Sequence, residues 1–409
     1  IVPTVCPPLS IVVLTLIGWI LTPTAACSCV GAAVYVKMRK NRALSVLAIL
    51  SIFTWFLFTG GVPVTVDAAE PQKIAFIYVS SVGDLGWSYE HDNGRKMLEA
   101  ELGDKIKTAI IESVPEGPDA ARIIRQYAMQ GYKVIFATSF GYMDPMVEVA
   151  RDFPKVYFEH CSGYKKNDKN MGNYFSRMYQ SEYLASYMAG LMGYKNVGTV
   201  ATQPIPEPIR GINAFTIGLK KGLSEAGIKH DPNKVNTIVW LKSWRDATNE
   251  TLLAETLAGR GHDLIRQMAD TPESAVAACR KGVAAIGYGI DVGAQAQCAL
   301  VSTEWNWGMY YVDSVKRAIN GTWQPAEVWW GFEKQGIKLG PFNASVPEDV
   351  KQKVLAEEAK LEKGVDEIFA GPVKNQLGKE IIQAGQKASD QDLLTMRWLV
   401  EGVSGKIPD

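Results

Sequence analysis

From Lys73 onward, the sequence alternates short β-branched or aromatic runs with amphipathic segments, and this alternation limits the possible folds more than any other feature. A first series predicts strands over 73–79, 108–112, 134–138 and 156–159, with helices over 88–102, 118–130, 145–153 and 181–192. A second series predicts strands over 197–202, 235–240, 263–266, 283–286 and 299–302, with helices over 210–225, 248–260, 272–281 and 308–320. Such alternation is typical of parallel βαβ units. Two series in succession predict an α/β protein of two doubly wound, Rossmann-like lobes with a ligand cleft between them.

The N-terminal part of the chain differs from the rest in composition. No charged residue precedes the basic cluster 37–42, which is followed by the apolar run 43–58. The first methionine is Met38, and a basic region, an apolar run and small residues in that order are typical of a secretory signal peptide. We therefore expect a signal peptide that is removed after Ala68 or Ala69, and a protein located in the periplasm. The alternative is an uncleaved inner-membrane anchor of two helices, over 9–36 and 43–66.

These patterns give the predicted division of the chain. We assign 1–37 to an upstream extension of the reading frame and 38–69 to the signal peptide. The first lobe is predicted to comprise 70–176 plus about 303–345, and the second 177–302 plus part of 346–409.

The charge balance limits the classes of partner. The whole chain has 43 Lys+Arg and 43 Asp+Glu, and the part after residue 69 has 39 against 42, a net charge of about −3. A nucleic-acid-binding protein normally shows a basic excess, so we expect no nucleic-acid partner. Cys161, Cys279 and Cys298 remain in the predicted mature chain. Cys279 and Cys298 could form a disulfide, or all three could be small buried side chains.

The sequence lacks the common catalytic and cofactor motifs. HExxH, CxxC, GxSxG and GxxxxGK[ST] are absent, and no GxGxxG follows a predicted strand. The four His residues lie on different elements without the spacing of metal ligands. We therefore expect a binding protein without a cofactor or metal ion, and not an enzyme.

The loops that follow the predicted strands contain unusual side chains. In open parallel sheets, ligands bind at the carboxyl ends of the strands. The candidate aromatic contacts there are Trp87, Phe140, Trp244 and Trp305, and the candidate polar contacts are Asp84, Asn213, Asp270 and Asp291. Flat aromatic faces with a few hydrogen-bonding groups suit a planar heterocyclic ligand. Any single Trp could instead be a core or hinge residue.

Several long stretches carry a resemblance to a known family. They are IAFIYVSSVGDLGWSYEHDNG at 74–94, VGTVATQPIPEPIRGINAFTIG at 197–218, VWLKSWRDATNE at 239–250, IGYGIDVGAQA at 286–296 and WNWGMYYVDSVKRAINGTW at 305–323. With these stretches the chain resembles the basic membrane protein family of extracytoplasmic solute-binding proteins. The resemblance implies a type I periplasmic binding protein fold. It also implies a monomer that binds a purine base or nucleoside and delivers it to the ABC permease of the inner membrane.

The resemblance also implies roles for particular residues. Family members clamp the purine ring between aromatic side chains of the two lobes. Trp87 stands where the family has a Phe, Asp84 matches an acid of the preceding loop, and Asp291 matches an acid that often meets the ribose. Trp244 lies in the Trp-rich loop of the family.

The chain departs from the family pattern at three positions, which are Gly83, Gly289 and the site of the second stacking aromatic near Gly211 or Ile212. Phe215, Phe175 or Trp244 would have to replace that aromatic. The loss of polar groups that hold a sugar favours a bare nucleobase. Two alternatives stay open: the same fold with another small ligand, and a membrane-anchored receptor ectodomain used in signalling.

Overall fold

The computed structural model describes residues 70–408, apart from the side chain of Asp84. The predicted extension 1–37 and the predicted signal peptide 38–69 lie outside the described residues. Within 70–408, no helix combines the length and the apolar character that crossing a membrane requires.

The strands and helices follow one another in the predicted alternation. The strands are β1 (Gln72–Ile77), β2 (Ile106–Ile111), β3 (Val134–Ala137), β4 (Tyr157–Cys161), β5 (Met171–Ser176), β6 (Val197–Ala201), β7 (Lys234–Trp240), β8 (Leu264–Gln267), β9 (Ala284–Gly289), β10 (Ala299–Trp305), β11 (Glu327–Trp330), β12 (Ile337–Leu339), β13 (Val373–Lys374), β14 (Glu380–Ile382) and β15 (Gly402–Ser404). The helices are α1 (Trp87–Leu102), α2 (Pro118–Met129), α3 (Met143–Asp152), α4 (Met178–Leu191), α5 (Pro206–Glu225), α6 (Ala247–Gly259), α7 (Glu273–Arg280), α8 (Trp307–Ile319), α9 (Glu348–Glu362) and α10 (Asp390–Leu394).

Two large sheets organise most of these elements, and β13 and β14 form a separate two-stranded sheet. The first has the strand order β11-β5-β4-β3-β1-β2, and its strand pairs are all parallel. The second has the order β12-β10-β9-β8-β6-β7-β15 and is parallel except for β12. The prediction of an α/β protein with two doubly wound lobes is confirmed.

Both faces of the first sheet are covered, as parallel sheets require. Ile74 and Phe76 of β1 point into one hydrophobic cluster, whereas Ala75 and Ile77 point into another. All four side chains are fully buried. The alternation follows from the two-residue period of a strand, and it explains why β1 is apolar throughout instead of alternating with polar residues.

The chain crosses between the sheets more than once after β10. Helix α8 packs on α1 of the first lobe, where a Cβ atom on Gly94 would lie 2.9 Å from the backbone nitrogen of Gly308. Strand β11 then joins the first sheet and β12 the second. The segment 303–345 therefore contributes strands to both sheets, and the lobe boundaries stay a prediction.

Two local expectations can be compared with the structure directly. Cys279 and Cys298 form a disulfide with Cα atoms 5.4 Å apart, and Cys161 is free and buried. The strand predicted over 299–302 extends to Trp305, so Trp305 ends a strand and does not lie in a loop. The loop interpretation was wrong because the polar residues Ser302, Thr303 and Glu304 are buried within the sheet.

Candidate ligand-binding cleft

A cleft of about 1420 Å³ lies at the carboxyl ends of the strands and is lined by residues of both sheets. Six of the predicted contacts line it: Trp87, Phe140, Phe175, Trp244, Asp270 and Trp305. This is the position that ligands take in open parallel sheets.

Three rings, Trp87, Phe175 and Trp305, form the aromatic cluster of the cleft. The Trp87 and Trp305 centroids are 5.7 Å apart with the planes nearly perpendicular, and those of Phe175 and Trp305 are 5.1 Å apart. The indole nitrogen of Trp87 donates to the carbonyl oxygen of Thr138 at 2.6 Å. Behind the cluster, the buried ring of Trp307 stacks on Trp305 with centroids 4.8 Å apart. These contacts fix the orientation of each ring.

The spacing within the aromatic cluster decides how it can hold a flat ligand. A ring stacked between two parallel rings needs them about 7 Å apart, twice the optimal carbon–carbon contact distance. The rings of Trp87, Phe175 and Trp305 are closer and are tilted toward one another. Trp87 and Phe175 are partly exposed and can therefore stack on one face of a ligand, whereas Trp305, at the end of β10 in the second sheet, is only 1% exposed and supports them from behind. The second lobe must cover the other face of the ligand.

Other aromatic side chains lie farther along the cleft. Phe140 is 39% exposed and its ring centroid is 6.4 Å from that of Tyr164. In the second lobe, the carbonyl oxygen of Trp244 accepts a hydrogen bond from the backbone N–H of Asp270 at 2.9 Å. This bond ties together two cleft loops that the sequence had identified separately.

A carboxyl group of the second lobe, Glu207, faces the cleft at the start of α5. The Tyr288 hydroxyl donates to it at 3.2 Å. Burial and, to a lesser extent, the carboxylate of Glu182 raise the pKa of Glu207 to about 7, although the guanidinium of Arg210 opposes the rise. Near neutral pH this group can therefore either donate a hydrogen bond or accept one.

Arg210 lies one helical turn after Glu207 and lines the cleft with it. Its guanidinium donates to the carbonyl oxygen of Leu393 at 2.8 Å and lies 4.8 Å from the centroid of the Trp329 ring. Burial lowers the pKa of Arg210. Glu207 and Arg210 were not among the site residues predicted from the sequence, although both lie near the start of the helix that follows strand β6.

A buried ion pair between Glu182 and Arg266 lies beneath this polar group, and both side chains are 1% exposed. The Arg266 guanidinium lies 4.5 Å from the centroid of Phe215, which is fully buried. Phe215 is not among the residues that line the cleft, whereas Phe175 and Trp244 are. Of the three replacements considered for the second stacking aromatic, Phe175 and Trp244 therefore remain.

The first lobe contributes a fixed carboxylate, Glu116. Its Oε1 accepts hydrogen bonds from the Ser139 hydroxyl at 2.6 Å and from the Gly141 N–H at 2.8 Å. The carbonyl oxygen of Ser139 lies 2.8 Å from Nε2 of His160, whose pKa burial lowers to about 4. His160 is therefore neutral near pH 7 and donates to Ser139 without adding charge to the cleft.

Of the three remaining predicted contacts, Asn213 and Asp291 are not among the described residues that line the cleft. The side chain of Asp84 lies outside the described residues, although its backbone ends a 3-10 turn just before Gly86. Asn213 is fully buried, donates to the carbonyl oxygen of Trp398 and accepts from the N–H of Val400. Asp291 is exposed and accepts from the N–H of Gly293 at 2.8 Å. Asn213 holds the C-terminal segment and Asp291 stabilises a turn, so we do not carry them into the proposed site.

A family model described as "ABC transporter substrate-binding protein PnrA-like" matches residues 71–367. The chain belongs to this family. The resemblance found in the sequence is thereby confirmed, and the role of a binding protein instead of an enzyme follows from membership.

Two relatives and one solved structure illustrate the range of the family and fold. A protein of Brucella abortus (strain 2308), named as a purine-binding protein, is 40% identical over 345 residues, 83% of this chain and 95% of the relative. A protein of Haloferax volcanii, named provisionally as an ABC transporter glucose-binding protein, is 34% identical over 352 residues, 85% of this chain and 84% of the relative. A solute-binding protein of an ABC transporter system from Conexibacter woesei superposes with a TM-score of 0.59 at 21% identity. That match covers 72% of this chain and 97% of the solved one, and it supports the fold.

Family membership fixes the general role of this cleft. An ABC transporter substrate-binding protein works outside the cytoplasm, binds a solute and presents it to a permease. Among residues 70–408, no group of His, Cys, Asp and Glu side chains is arranged to hold a metal ion. The side chains that line the cleft are suited to stacking and hydrogen bonding.

Proposed function

We propose that this protein captures a purine nucleobase or nucleoside in the periplasm, as a monomer, and delivers it to the permease of an ABC importer. The observation that carries the proposal is the opposition of two surfaces across the cleft. On the first-lobe side, Trp87 and Phe175 of the aromatic cluster offer ring faces for stacking, and Glu207, Arg210 and Tyr288 of the second lobe offer hydrogen-bonding groups.

A purine uses both surfaces at once. Its faces stack on aromatic rings, and its edge carries donors and acceptors that carboxyl and guanidinium groups can meet. The name of the Brucella relative, at 40% identity, supports the same class of ligand.

Glucose is the second candidate ligand because the Haloferax relative is provisionally named as a glucose-binding protein. A sugar can also lie on an aromatic face, but its many hydroxyl groups need a matching set of paired polar side chains. The aromatic cluster gathers three mutually tilted rings at one end of the cleft, and this concentration of aromatic surface favours the purine.

The proposal is tested by isothermal titration calorimetry of the purified protein against adenine, guanine, xanthine, their ribonucleosides and glucose. Binding of at least one purine or purine nucleoside, with no heat from glucose, is the expected result. Tight binding of glucose alone would replace this proposal by the second candidate. Light scattering on the same sample tests whether the protein is a monomer.

The role of the aromatic cluster is tested by Trp87→Ala. We expect the purine affinity to fall about 5- to 150-fold, because stacking of a base on an aromatic ring contributes about 1–3 kcal/mol. Trp240→Ala is the matched control, since Trp240 is partly buried but does not line the cleft. Unchanged purine affinity in Trp87→Ala would remove Trp87 from the site.

A further inference from the structure

One wall of the cleft comes from the C-terminal part of the chain, beyond residue 367, where the family match ends. Its side chains, which we call the C-terminal wall, are Asp390, Gln391, Leu394, Thr395 and Arg397. None of the site residues predicted from the sequence lies in this region.

The C-terminal wall is held rigidly on the second lobe. Ser389 and Asp392 form a reciprocal capping box at the start of α10. The amide of Asn213 then fixes the backbone of Trp398 and Val400, just after the wall. Strand β15 pairs with β7 and closes the segment onto the sheet. Contacts at its start and directly after it therefore hold this short segment, and its side chains, in fixed positions.

The wall begins beside the aromatic cluster. Phe175 of the cluster is paired in register with Trp329 on the neighbouring strand, and Trp329 also lines the cleft. The Arg177 guanidinium lies 4.0 Å from the centroid of the Trp329 ring and donates to both carboxylate oxygens of Asp390, at 2.9 and 2.6 Å. A ligand that stacks on Phe175 and extends past Trp329 therefore reaches the wall.

The side chains of the wall suit a neutral, hydroxylated group. The wall has two charged side chains: Asp390 is neutralised by Arg177, and the guanidinium of Arg397 donates to the carbonyl oxygen of Pro204 at 3.2 Å. Leu394 is 42% exposed inside the cleft, an aliphatic surface that the protein itself leaves uncovered. Beside it, Gln391 also lines the cleft, and its side-chain amide can serve a ligand as both donor and acceptor. The Thr395 hydroxyl donates to the backbone carbonyl oxygen of Gln391.

The volume of the cleft also indicates a ligand that is larger than a single ring system. Ligand pockets commonly have volumes of about 300–1,000 Å³, whereas this cleft has about 1420 Å³. A bare ring on the aromatic cluster would leave the Trp329 end of the cleft and the wall without contacts.

We propose that the C-terminal wall is a specificity-determining surface that contacts an uncharged, hydroxylated substituent on the ring, such as a ribosyl group. This inference rests on the proposed function, because it assumes that a purine ring occupies the aromatic cluster. The wall then sets the preference for a nucleoside over its free base, while the aromatic cluster contributes equally to both.

The test compares one purine ribonucleoside, its free base and its 5′-monophosphate by titration calorimetry. The variants are Leu394→Ala and Gln391→Ala in the full-length protein. Each should weaken nucleoside binding about 5- to 10-fold, the effect of losing one contact of about 1 kcal/mol, and change base binding less than about 2-fold. Leu377→Ala is the matched control, because Leu377 belongs to the same C-terminal region, is 90% exposed and does not line the cleft.

The possible outcomes separate this inference from the proposed function. If both variants leave the ratio of nucleoside to base affinity unchanged while Trp87→Ala weakens both ligands, the wall has no role in specificity and the proposed function stands. A monophosphate that binds more tightly than the nucleoside would overturn the neutral class of substituent. If the wild-type protein binds no purine in any form, the proposed function fails, and the inference fails with it.

Discussion

Glu250 is a fully buried carboxyl group that lies outside the cleft lining. Its two oxygens accept hydrogen bonds from the N–H of Asp246 at 2.9 Å and from the Thr271 hydroxyl at 2.7 Å. Burial raises its pKa from 4.5 to about 7, although these hydrogen bonds oppose the rise. The pKa of Glu250 is higher in the folded protein than in the unfolded chain. Its contribution to the free energy of unfolding is therefore complete below about pH 4.5 and is lost as the pH rises through about 7.

Glu250→Gln removes this titration while keeping the size of the side chain and its ability to accept from Asp246. We expect the free energy of unfolding of the wild type, relative to the variant, to fall by about 1–3 kcal/mol between pH 5 and pH 8. Denaturant unfolding at several pH values measures it, with the exposed Glu348→Gln as control. Parallel pH profiles for wild type and Glu250→Gln would contradict the prediction.

The ion pair of Glu182 and Arg266 supports the floor of the cleft at the cost of two buried charges. Burial raises the pKa of Glu182, and the guanidinium of Arg266 opposes that rise. Removing one partner leaves the other charge buried alone, so Glu182→Leu should destabilise the protein by about 3–5 kcal/mol. The double variant Glu182→Leu/Arg266→Met should be much closer to the wild type in thermal unfolding. Equal losses in the single and double variants would show that the charges do not act as a pair.

At the scale of the elements, periodicity predicted the strands β1 to β4 and β6 to β10 and the helices α1 to α8, mostly to within three residues. The long helix α9 and the parallel strands β11 and β15 were not predicted. Strand β5 was missed because it begins Met171-Gly172-Asn173, and Gly and Asn are typical of turns. Its place between β4 and β11 is decided by tertiary pairing, which no local pattern encodes. For the same reason, only the family resemblance made Phe175 a candidate contact for the ligand.

The C-terminal elements show a second limit of prediction from sequence. Strands β13 to β15 and helix α10 contain only two to five residues each. Segments this short cannot display a helical or strand period, so the contribution of residues 390–397 to the cleft could not be predicted. Trp87, Trp244 and Asp270 were found because they follow strands that have a clear period.

The Cys279–Cys298 disulfide joins the end of α7 to the residue before β10, across a sequence separation of 19. A loop of about this length is expected to contribute about 2–4 kcal/mol, because the bond restricts the unfolded chain. The double variant Cys279→Ala/Cys298→Ala should lose that stability in thermal unfolding. A reductant should lower the melting temperature of the wild type and leave that of the double variant unchanged. If the reductant destabilises both alike, the bond contributes nothing.

At the scale of the whole molecule, the two lobes touch beside the cleft. Leu85 and Tyr89, at the start of α1, pack against a hydrophobic cluster of the second lobe. Between them, Gly86 lies so close to Asp270 that a Cβ atom would come within 1.6 Å of its carbonyl oxygen. Trp87 and Asp270 both line the cleft, so the contact between the lobes is formed next to the proposed ligand.

Because of this contact, a single methyl group added at residue 86 should weaken ligand binding. Gly86→Ala cannot adopt the observed approach to Asp270, so the lobes should stay farther apart and ligand affinity should fall about tenfold or more. X-ray scattering should show a larger radius of gyration for the ligand-saturated variant than for the ligand-saturated wild type. Gly83→Ala is the matched control in the same loop, because its Cβ atom would meet only the Ser81 hydroxyl oxygen, at 3.4 Å. Wild-type affinity in Gly86→Ala would mean that the ligand-bound protein does not use this contact, and that ligand is held with the lobes in another arrangement.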